Sequence, residues 1–276
     1  MPAIDRRTFA TIAGATLLAR PLDAAIAGAA PRRDRRLLVF TKSSGYVHSI
    51  VAREADGRTL VDRTLAALGR QNGFDVLATK DGGVFSSSAL ADCDAFLFVT
   101  TGDLTVHGTD GEPPMTAAGK RALLDAVAGG KGFVGVHNAA DTFHSPADGA
   151  TDPYIAMLGG EFLAHGRPQR ARVRVTDGGF PGMTGARELE RMGEWYAFRN
   201  IASDIRPLLV LLTDGLDGDE YRRPPYPVAW TRRHGNGRVA YTALGHFDEE
   251  WADATFTGML LGMVSWAFGD ATDRRR

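Results

Sequence analysis

The sequence predicts an α/β domain built around a mostly parallel sheet. The runs at residues 37–41 and 133–136 are almost wholly apolar, which is typical of strands that are covered on both faces. Residues 58–70 lie between them and carry apolar side chains at helical spacing. Strands that alternate with helices in this way form doubly wound parallel sheets.

The other elements follow in chain order. After the helix at 58–70 we expect strands at 74–79 and 94–100. A helix capped by Thr116 should then run through Val127 and end at the glycine pair 129–130. The second half is less regular, and there we expect strands at 172–176, 207–213, 227–232 and 238–243. A hairpin turn at 233–237 joins the last two strands, and a helix at 255–268 closes the chain.

The first 36 residues differ from the rest of the chain. They contain Arg6-Arg7, a Phe two residues later, a short apolar run over 10–19 and small residues near 27–30. This pattern predicts a twin-arginine signal peptide and linker at 1–36, read by the export machinery, and a periplasmic or secreted domain. Arg20, Pro21 and Asp23 interrupt the apolar run well short of the roughly 20 residues that a transmembrane helix needs.

Composition and charge limit the possible functions of the remaining chain. The protein has 276 residues, of which 44% are apolar and 24% charged, with no internal repeat, so one domain at 37–270 is expected. Residues 1–36 carry a net charge of +4 and the remainder −5. An acidic domain lacks the basic surface that nucleic acid needs, so we expect no nucleic-acid partner. We also expect no nucleotide cofactor. Cys93 is the single cysteine, so no intrachain disulfide forms.

Histidines gather just beyond the predicted strands. In open parallel sheets ligands bind outside the carboxyl ends of the strands. Four of the seven histidines follow a predicted strand, namely His48, His107, His137 and His246. Two more, His144 and His165, lie after the fourth strand near Asp141, Asp152 and Glu161. For any one of them a structural role is the commoner alternative.

His137 has the most informative setting. It ends the fourth strand between Gly135 and Asn138, where a hydrolase of similar topology would place a nucleophilic Ser or Cys on a sharp turn. Cys93 precedes a different strand, which argues against cysteine-based amide hydrolysis. Histidines with a glutamate suit general acid–base catalysis or a divalent metal. The chain has no compact zinc motif, so such a metal site would be assembled from several loops.

A second cluster is Glu194-Trp195-Tyr196, one carboxylate beside two large aromatic side chains. It is either a helix end packed on the core or a carboxylate with aromatic walls that hold a sugar ring. The spacing leaves both readings open.

With these motifs in hand, the chain resembles the ThuA (trehalose-utilisation) family. The resemblance rests on separate motifs in the same order over almost all of residues 37–270. They are 39–50 with His48, 132–140 around His137, 159–165 with Glu161 and His165, 194–196, 227–230, and 237–246 with His246. One departure is Tyr46-Val47-His48, where the family often has Phe-Arg-His.

The resemblance implies a flavodoxin-like fold similar to class I glutamine amidotransferase domains, a three-layer sandwich without the catalytic cysteine. It also implies a role in carbohydrate catabolism, on a disaccharide or its 3-keto derivative. On this basis we predict His137, His48 and Glu194 as catalytic residues. Trp195, Tyr196, Glu161 and His165 are predicted to bind substrate, and His48, His137 and His246 to bind one divalent metal ion.

The sequence is compatible with three hypotheses about function. The first is an exported enzyme that acts on a sugar or keto-sugar. The second is a non-catalytic carbohydrate-binding domain that uses Trp195, Tyr196 and Trp230 as platforms. The third, which we rank last, is a cysteine-independent amidase. The sequence leaves the oligomeric state open.

Overall fold

The computed structural model describes residues 35–147, 149–183, 185 and 187–270, which lie in the compact unit Asp34–Arg276. The predicted signal peptide lies outside these residues, apart from the last two positions of the expected linker. Arg35 and Arg36 open the first strand, two residues before the domain start that we predicted. Among the described residues, no helix is long and apolar enough to cross a membrane.

The described residues form eleven strands and five α-helices. The strands are β1 (Arg35–Phe40), β2 (Phe74–Thr79), β3 (Ala95–Phe98), β4 (Gly132–Val136), β5 (Glu161–His165), β6 (Gln169–Val175), β7 (Glu188–Gly193), β8 (Tyr196–Arg199), β9 (Arg206–Leu211), β10 (Tyr226–His234) and β11 (Gly237–Thr242). The helices are α1 (Leu60–Asn72), α2 (Ala89–Asp92), α3 (Ala117–Ala128), α4 (Pro153–Leu158) and α5 (Ala254–Phe268).

Nine strands form one mixed sheet in the order β2-β1-β3-β4-β11-β10-β9-β6-β7. The first five are parallel, with Leu37 opposite Ala95 and Val239 opposite Phe133. The pairs from β11 to β7 are antiparallel. Strands β5 and β8 form a separate two-stranded sheet. The carboxyl ends of β1, β3, β4 and β11 therefore meet at one edge.

Helices cover both faces of this sheet. A Cβ on Gly132 would lie 2.6 Å from Cβ of Ala267 in α5, whereas a Cβ on Gly135 would lie 2.7 Å from Leu158 in α4. Residues an odd number of positions apart in a strand face opposite sides, so α5 and α4 lie on opposite faces. The predicted three-layer α/β architecture is confirmed.

Local chemistry explains where the main helices begin. Thr59 and Asp62 form a reciprocal capping box at the start of α1, and Thr116 accepts a hydrogen bond from the backbone N–H of Gly119 at the start of α3. Helix α5 begins where Asp253 accepts from the N–H of Phe256. The Thr116 cap is the one that the sequence predicts.

The predicted elements agree with the structure in type, with ends that differ by a few residues. The sequence did not predict α4, β5, β7 or β8. Strands β5 and β7 carry exposed and half-buried residues, and β8 has only four residues, so they lack a strong apolar signal. These elements contribute Glu161, His165 and the segment that contains Glu194.

Candidate metal centre

Four side chains from separate parts of the chain meet at the carboxyl edge of the parallel strands. His137 follows β4 directly, while His48 and His246 lie in the loops after β1 and β11. Glu194 lies in the short connection between β7 and β8. One ligand atom from each of these residues lies within 4.8 Å of the others. We call these four residues the His₃Glu cluster.

His137 has a strained backbone, and hydrogen bonds fix both its side chain and its carbonyl group. Its backbone has a φ of 45°, in the left-handed region that non-glycine residues seldom adopt, and its side chain is buried. Its Nδ1 donates to the carbonyl oxygen of Ala243 at 2.8 Å, and its own carbonyl accepts from the Tyr241 hydroxyl at 2.8 Å. Because Nδ1 carries the proton, the neutral ring directs the lone pair of Nε2 into the cluster.

The spacing inside the cluster fits a metal ion. Nε2 of His137 lies 3.1 Å from Nδ1 of His246 and 3.3 Å from Oε2 of Glu194, and the last two atoms are 3.3 Å apart. Nitrogen and oxygen ligands about 2.1 Å from one divalent cation lie roughly 3.0 to 3.5 Å from each other. Three neutral imidazoles with one carboxylate are also a donor set that such cations prefer.

His48 completes the cluster from the other side. Its ring centroid lies 5.3 Å from those of His137 and His246, and its side chain is buried. The carboxamide of Asn138 approaches Nδ1 of His48 at 3.3 Å and donates to the Thr101 hydroxyl at 2.7 Å. Asn138 therefore orients His48 from behind the cluster.

The surroundings favour neutral imidazoles and an ionised carboxylate. Burial, followed by the neighbouring His137 and His246, lowers the pKa of His48 to about 3. Burial, followed by His137, also lowers the pKa of His246. For Glu194, burial acts to raise the pKa, but the close imidazoles of His137, His246 and His165 outweigh it and lower the pKa. Neutral His48 and His246 therefore offer nitrogen lone pairs, and ionised Glu194 offers one negative charge.

His165 and Tyr196, two of the residues predicted to bind substrate, lie beside the cluster. Nδ1 of His165 is 3.4 Å from Oε1 of Glu194, and the side chain is 39% exposed. The ring of Tyr196 lies 4.3 Å from that of His137, but Tyr196 is only 3% exposed. Tyr196 therefore packs against the cluster, whereas His165 faces solvent.

The segment 194–196 is not a helix end. Glu194 and Trp195 link β7 to β8, and Tyr196 opens β8. Trp195 is fully buried, and its indole N–H donates to the carbonyl oxygen of Gln169. Trp230 is also fully buried and donates to the carbonyl oxygen of Leu158. Neither indole has a face exposed to solvent in this structure.

Glu161, predicted to bind substrate, belongs to a second polar group outside the His₃Glu cluster. Its carboxylate is buried and accepts from Arg199 at 2.6 Å, Asn200 at 2.7 Å and the N–H of Ser145 at 3.0 Å. Burial alone would raise the pKa of Glu161, but these hydrogen bonds lower it to about 2. His144 lies between this carboxylate and Asp141. These partners all belong to the protein, so the Glu161 carboxylate is part of a buried hydrogen-bond network.

The remaining candidates lie outside the cluster. His107 is exposed in the loop after β3. Cys93 is buried before β3, and burial raises the pKa of its thiol, so it is not an activated nucleophile. Sequence reasoning missed Asn138 and Tyr46 as neighbours of the cluster. Asn138 directly follows His137 and Tyr46 precedes His48 by two residues, and this proximity was the available signal.

The fold and the cluster together define a class of α/β protein in which a histidine occupies the turn after a central parallel strand and belongs to a group of residues that could hold a metal ion. The chain belongs to the ThuA family, described as trehalose utilisation, whose model matches residues 36–267. The resemblance seen in the sequence is confirmed.

Solved structures show the same fold. A ThuA-like protein from Bacteroides uniformis has a TM-score of 0.67 at 21% identity, covering 87% of this chain and 94% of that one. A ThuA-like protein from Parabacteroides merdae has a TM-score of 0.62 at 16% identity, covering 88% and 93%. A β-galactosidase from Bacillus circulans sp. alkalophilus has a TM-score of 0.52 at 13% identity, covering 85% of this chain and 31% of that one. A search of curated proteins found no match.

Proposed function

We propose that the protein is a carbohydrate-processing enzyme that uses one divalent cation and acts on a disaccharide or its 3-keto derivative. The observation that carries the proposal is the His₃Glu cluster, because its ligand atoms have the separation that a single cation requires. The backbone strain at His137 supports it, since strain of this kind concentrates at functional sites. The family description supplies the link to sugars.

The residues beside the cluster suit chemistry next to a keto group. A bound divalent cation would polarise the carbonyl oxygen and make the neighbouring C–H more acidic. His165 is the exposed base at this point. Its Nδ1 donates to the carbonyl oxygen of Gly166 at 2.9 Å, so the neutral ring keeps its lone pair on Nε2. Glu194 faces Nδ1 of His165 with Oε1 and would stabilise the imidazolium that forms.

The proposed reaction is an elimination that begins with removal of a proton from the carbon next to the keto group. Nε2 of His165 takes the proton from the carbon next to the keto group, and the electrons of that C–H bond form a carbon–carbon double bond. The glycosidic oxygen leaves from the adjacent carbon with the electrons of its C–O bond and takes up the proton that the His165 imidazolium releases. Addition of water to the double bond would complete a net hydrolysis.

The alternative is a carbohydrate-binding domain without catalysis. It relies on tryptophan platforms, and the burial of Trp195 and Trp230 argues against it. The amidase hypothesis has no support from the site, because Cys93 is buried and His137 occupies the turn.

Metal content and product analysis test the proposal together. Purified protein, stripped with a chelator and reloaded, should bind about one divalent ion per chain, and the His137→Ala variant should bind none. A matched control is His234→Ala, because His234 ends β10 at the opposite end of the sheet. Loaded protein should convert 3-keto-trehalose or 3-keto-sucrose to products visible by mass spectrometry. Metal-free protein with undiminished turnover would contradict the proposal.

We also propose that the protein acts outside the cytoplasm after twin-arginine export. The support is Arg6-Arg7 with the short apolar run that follows. Cell fractionation tests it. The wild-type chain should appear in the periplasm or medium, and the double variant Arg6→Lys/Arg7→Lys should stay inside the cell. Equal export of the double variant would overturn this part.

A further inference from the structure

Sugar-binding sites commonly contain an exposed aromatic ring, and the predicted candidates do not provide one. Trp195 is fully buried and Tyr196 is 3% exposed. The most exposed large apolar side chain among the described residues is Tyr46, which is 70% exposed. A single exposed apolar residue is ordinary on a protein surface, so its position must decide whether it has a role.

Tyr46 lies beside the His₃Glu cluster, in contact with His48. Its ring lies 4.8 Å from that of His48, at an interplanar angle of 87°. His48 in turn contacts His137 and His246. The edge-on contact leaves most of the phenol ring in solvent beside the histidines, where a group next to the reacting sugar would lie.

The loop that carries Tyr46 is fixed at several points. The hydroxyl of Thr109 donates to the carbonyl oxygen of Gly45 at 2.5 Å, and the N–H of Ser44 donates to the carbonyl oxygen of Thr101 at 2.7 Å. On the other side, the Ser49 hydroxyl donates to Asp248 at 2.6 Å, which joins this loop to the one with His246. An aromatic ring held in solvent by a fixed loop loses little entropy when it binds a ligand.

We propose that Tyr46 is the platform of a second sugar subsite, on which the non-reacting ring of a disaccharide stacks through its C–H face. The inference rests on the proposed function and deepens it, because it names the residue that binds the second ring of the disaccharide. The cluster and His165 would engage the reacting ring, and Tyr46 would engage its neighbour. The site therefore selects disaccharides over monosaccharides.

Calorimetric titration of metal-loaded protein with trehalose, 3-keto-trehalose, glucose and 3-keto-glucose tests this. Tyr46→Ala should weaken disaccharide binding about 3- to 10-fold, the usual worth of one stacking contact, and monosaccharide binding less than about twofold. Tyr46→Phe keeps the ring and should bind disaccharides within about twofold of wild type. Met192→Ala is the matched control, because Met192 is similarly apolar and exposed but lies on β7.

The outcomes separate the two proposals. If wild type binds disaccharides and Tyr46→Ala binds them equally well, Tyr46 is not a platform, while the proposed function stands. If both kinds of sugar weaken equally, the second subsite is wrong. If wild type binds none of the four sugars, the proposed function and this inference both fail. Metal content should be equal in all variants, and its loss in Tyr46→Ala would assign Tyr46 a structural role and overturn the inference.

Discussion

Nε2 of His137 lies 3.1 Å from Nδ1 of His246, although the two residues are 109 positions apart in the chain. They meet because β4 and β11 are parallel neighbours, with Thr242 opposite Val136 at their carboxyl ends. Glu194 lies 3.3 Å from both nitrogens. The sheet order thus builds the cluster from residues that no local motif connects.

Glu194 supplies the carboxylate of the His₃Glu cluster, and we expect it to contribute strongly to metal affinity. Glu194→Gln removes the one negative charge of the cluster, and we expect divalent-metal affinity to fall by at least about tenfold. Competition with a fluorescent chelator measures it. Glu190→Gln, four residues earlier on β7 and exposed, is the control and should leave the affinity unchanged. Unchanged affinity in Glu194→Gln would remove Glu194 from the metal site.

Asn138 should set the tautomer of His48. Its Oδ1 is buried and has no hydrogen-bond partner among the described residues. A 180° rotation of the carboxamide brings that oxygen to Nδ1–H of His48, the tautomer that frees Nε2 for a metal. Asn138→Ala should lower metal affinity about tenfold, and Asn138→Asp, which also accepts from Nδ1–H, should restore it. Equal affinities in all three proteins would show that Asn138 does not act through His48.

Glu161 should stabilise the fold down to low pH. Its folded pKa of about 2 lies below the ordinary value of 4.5, so its contribution is present above pH 4.5 and is lost as pH falls through about 2. Relative to Glu161→Gln, wild type should gain up to about 3 kcal/mol of unfolding free energy at neutral pH. Denaturant unfolding between pH 7 and 2 measures it. Glu188→Gln, at an exposed ion pair, should show no such pH dependence.

Trp230 should contribute to stability and not to sugar binding. Trp230→Phe removes the hydrogen bond to Leu158 and part of a buried ring, at a cost of about 1 to 2 kcal/mol. For a domain of this size the melting temperature should fall by roughly 2 to 8 °C. Calorimetry measures the shift, and sugar titration of the same variant should match wild type. A loss of sugar binding at unchanged stability would instead revive the binding-domain hypothesis.

The sequence was informative where an element is buried on both faces or has a clear cap. Strand 133–136 was predicted within one residue of the observed β4, all of whose residues are buried, and Thr116 was predicted as the cap of α3. The sequence did not predict β7 or β8. Because β7 is largely exposed and β8 has only four residues, their apolar pattern is no stronger than that of the surrounding loops.

The candidate site was also only partly predictable from the sequence. The position of His137 at a strand end could be read from the sequence, because parallel strands direct their carboxyl ends to one edge. The roles of the aromatic residues could not, because a tryptophan in a loop and one in the core have the same local pattern. Burial separates Trp195, with no exposed surface, from Tyr46, which is 70% exposed.

The sequence by itself determined the α/β class, the family resemblance and the strand-end histidines, since these depend on short-range periodicity and on motif order. Only the tertiary structure decided that Glu194 joins His48, His137 and His246, and that Glu161 forms a separate buried network with Arg199. The physical reason is that ligand distances and side-chain burial follow from strand order and packing between residues far apart in the chain. The local sequence pattern does not show which distant residues come into contact.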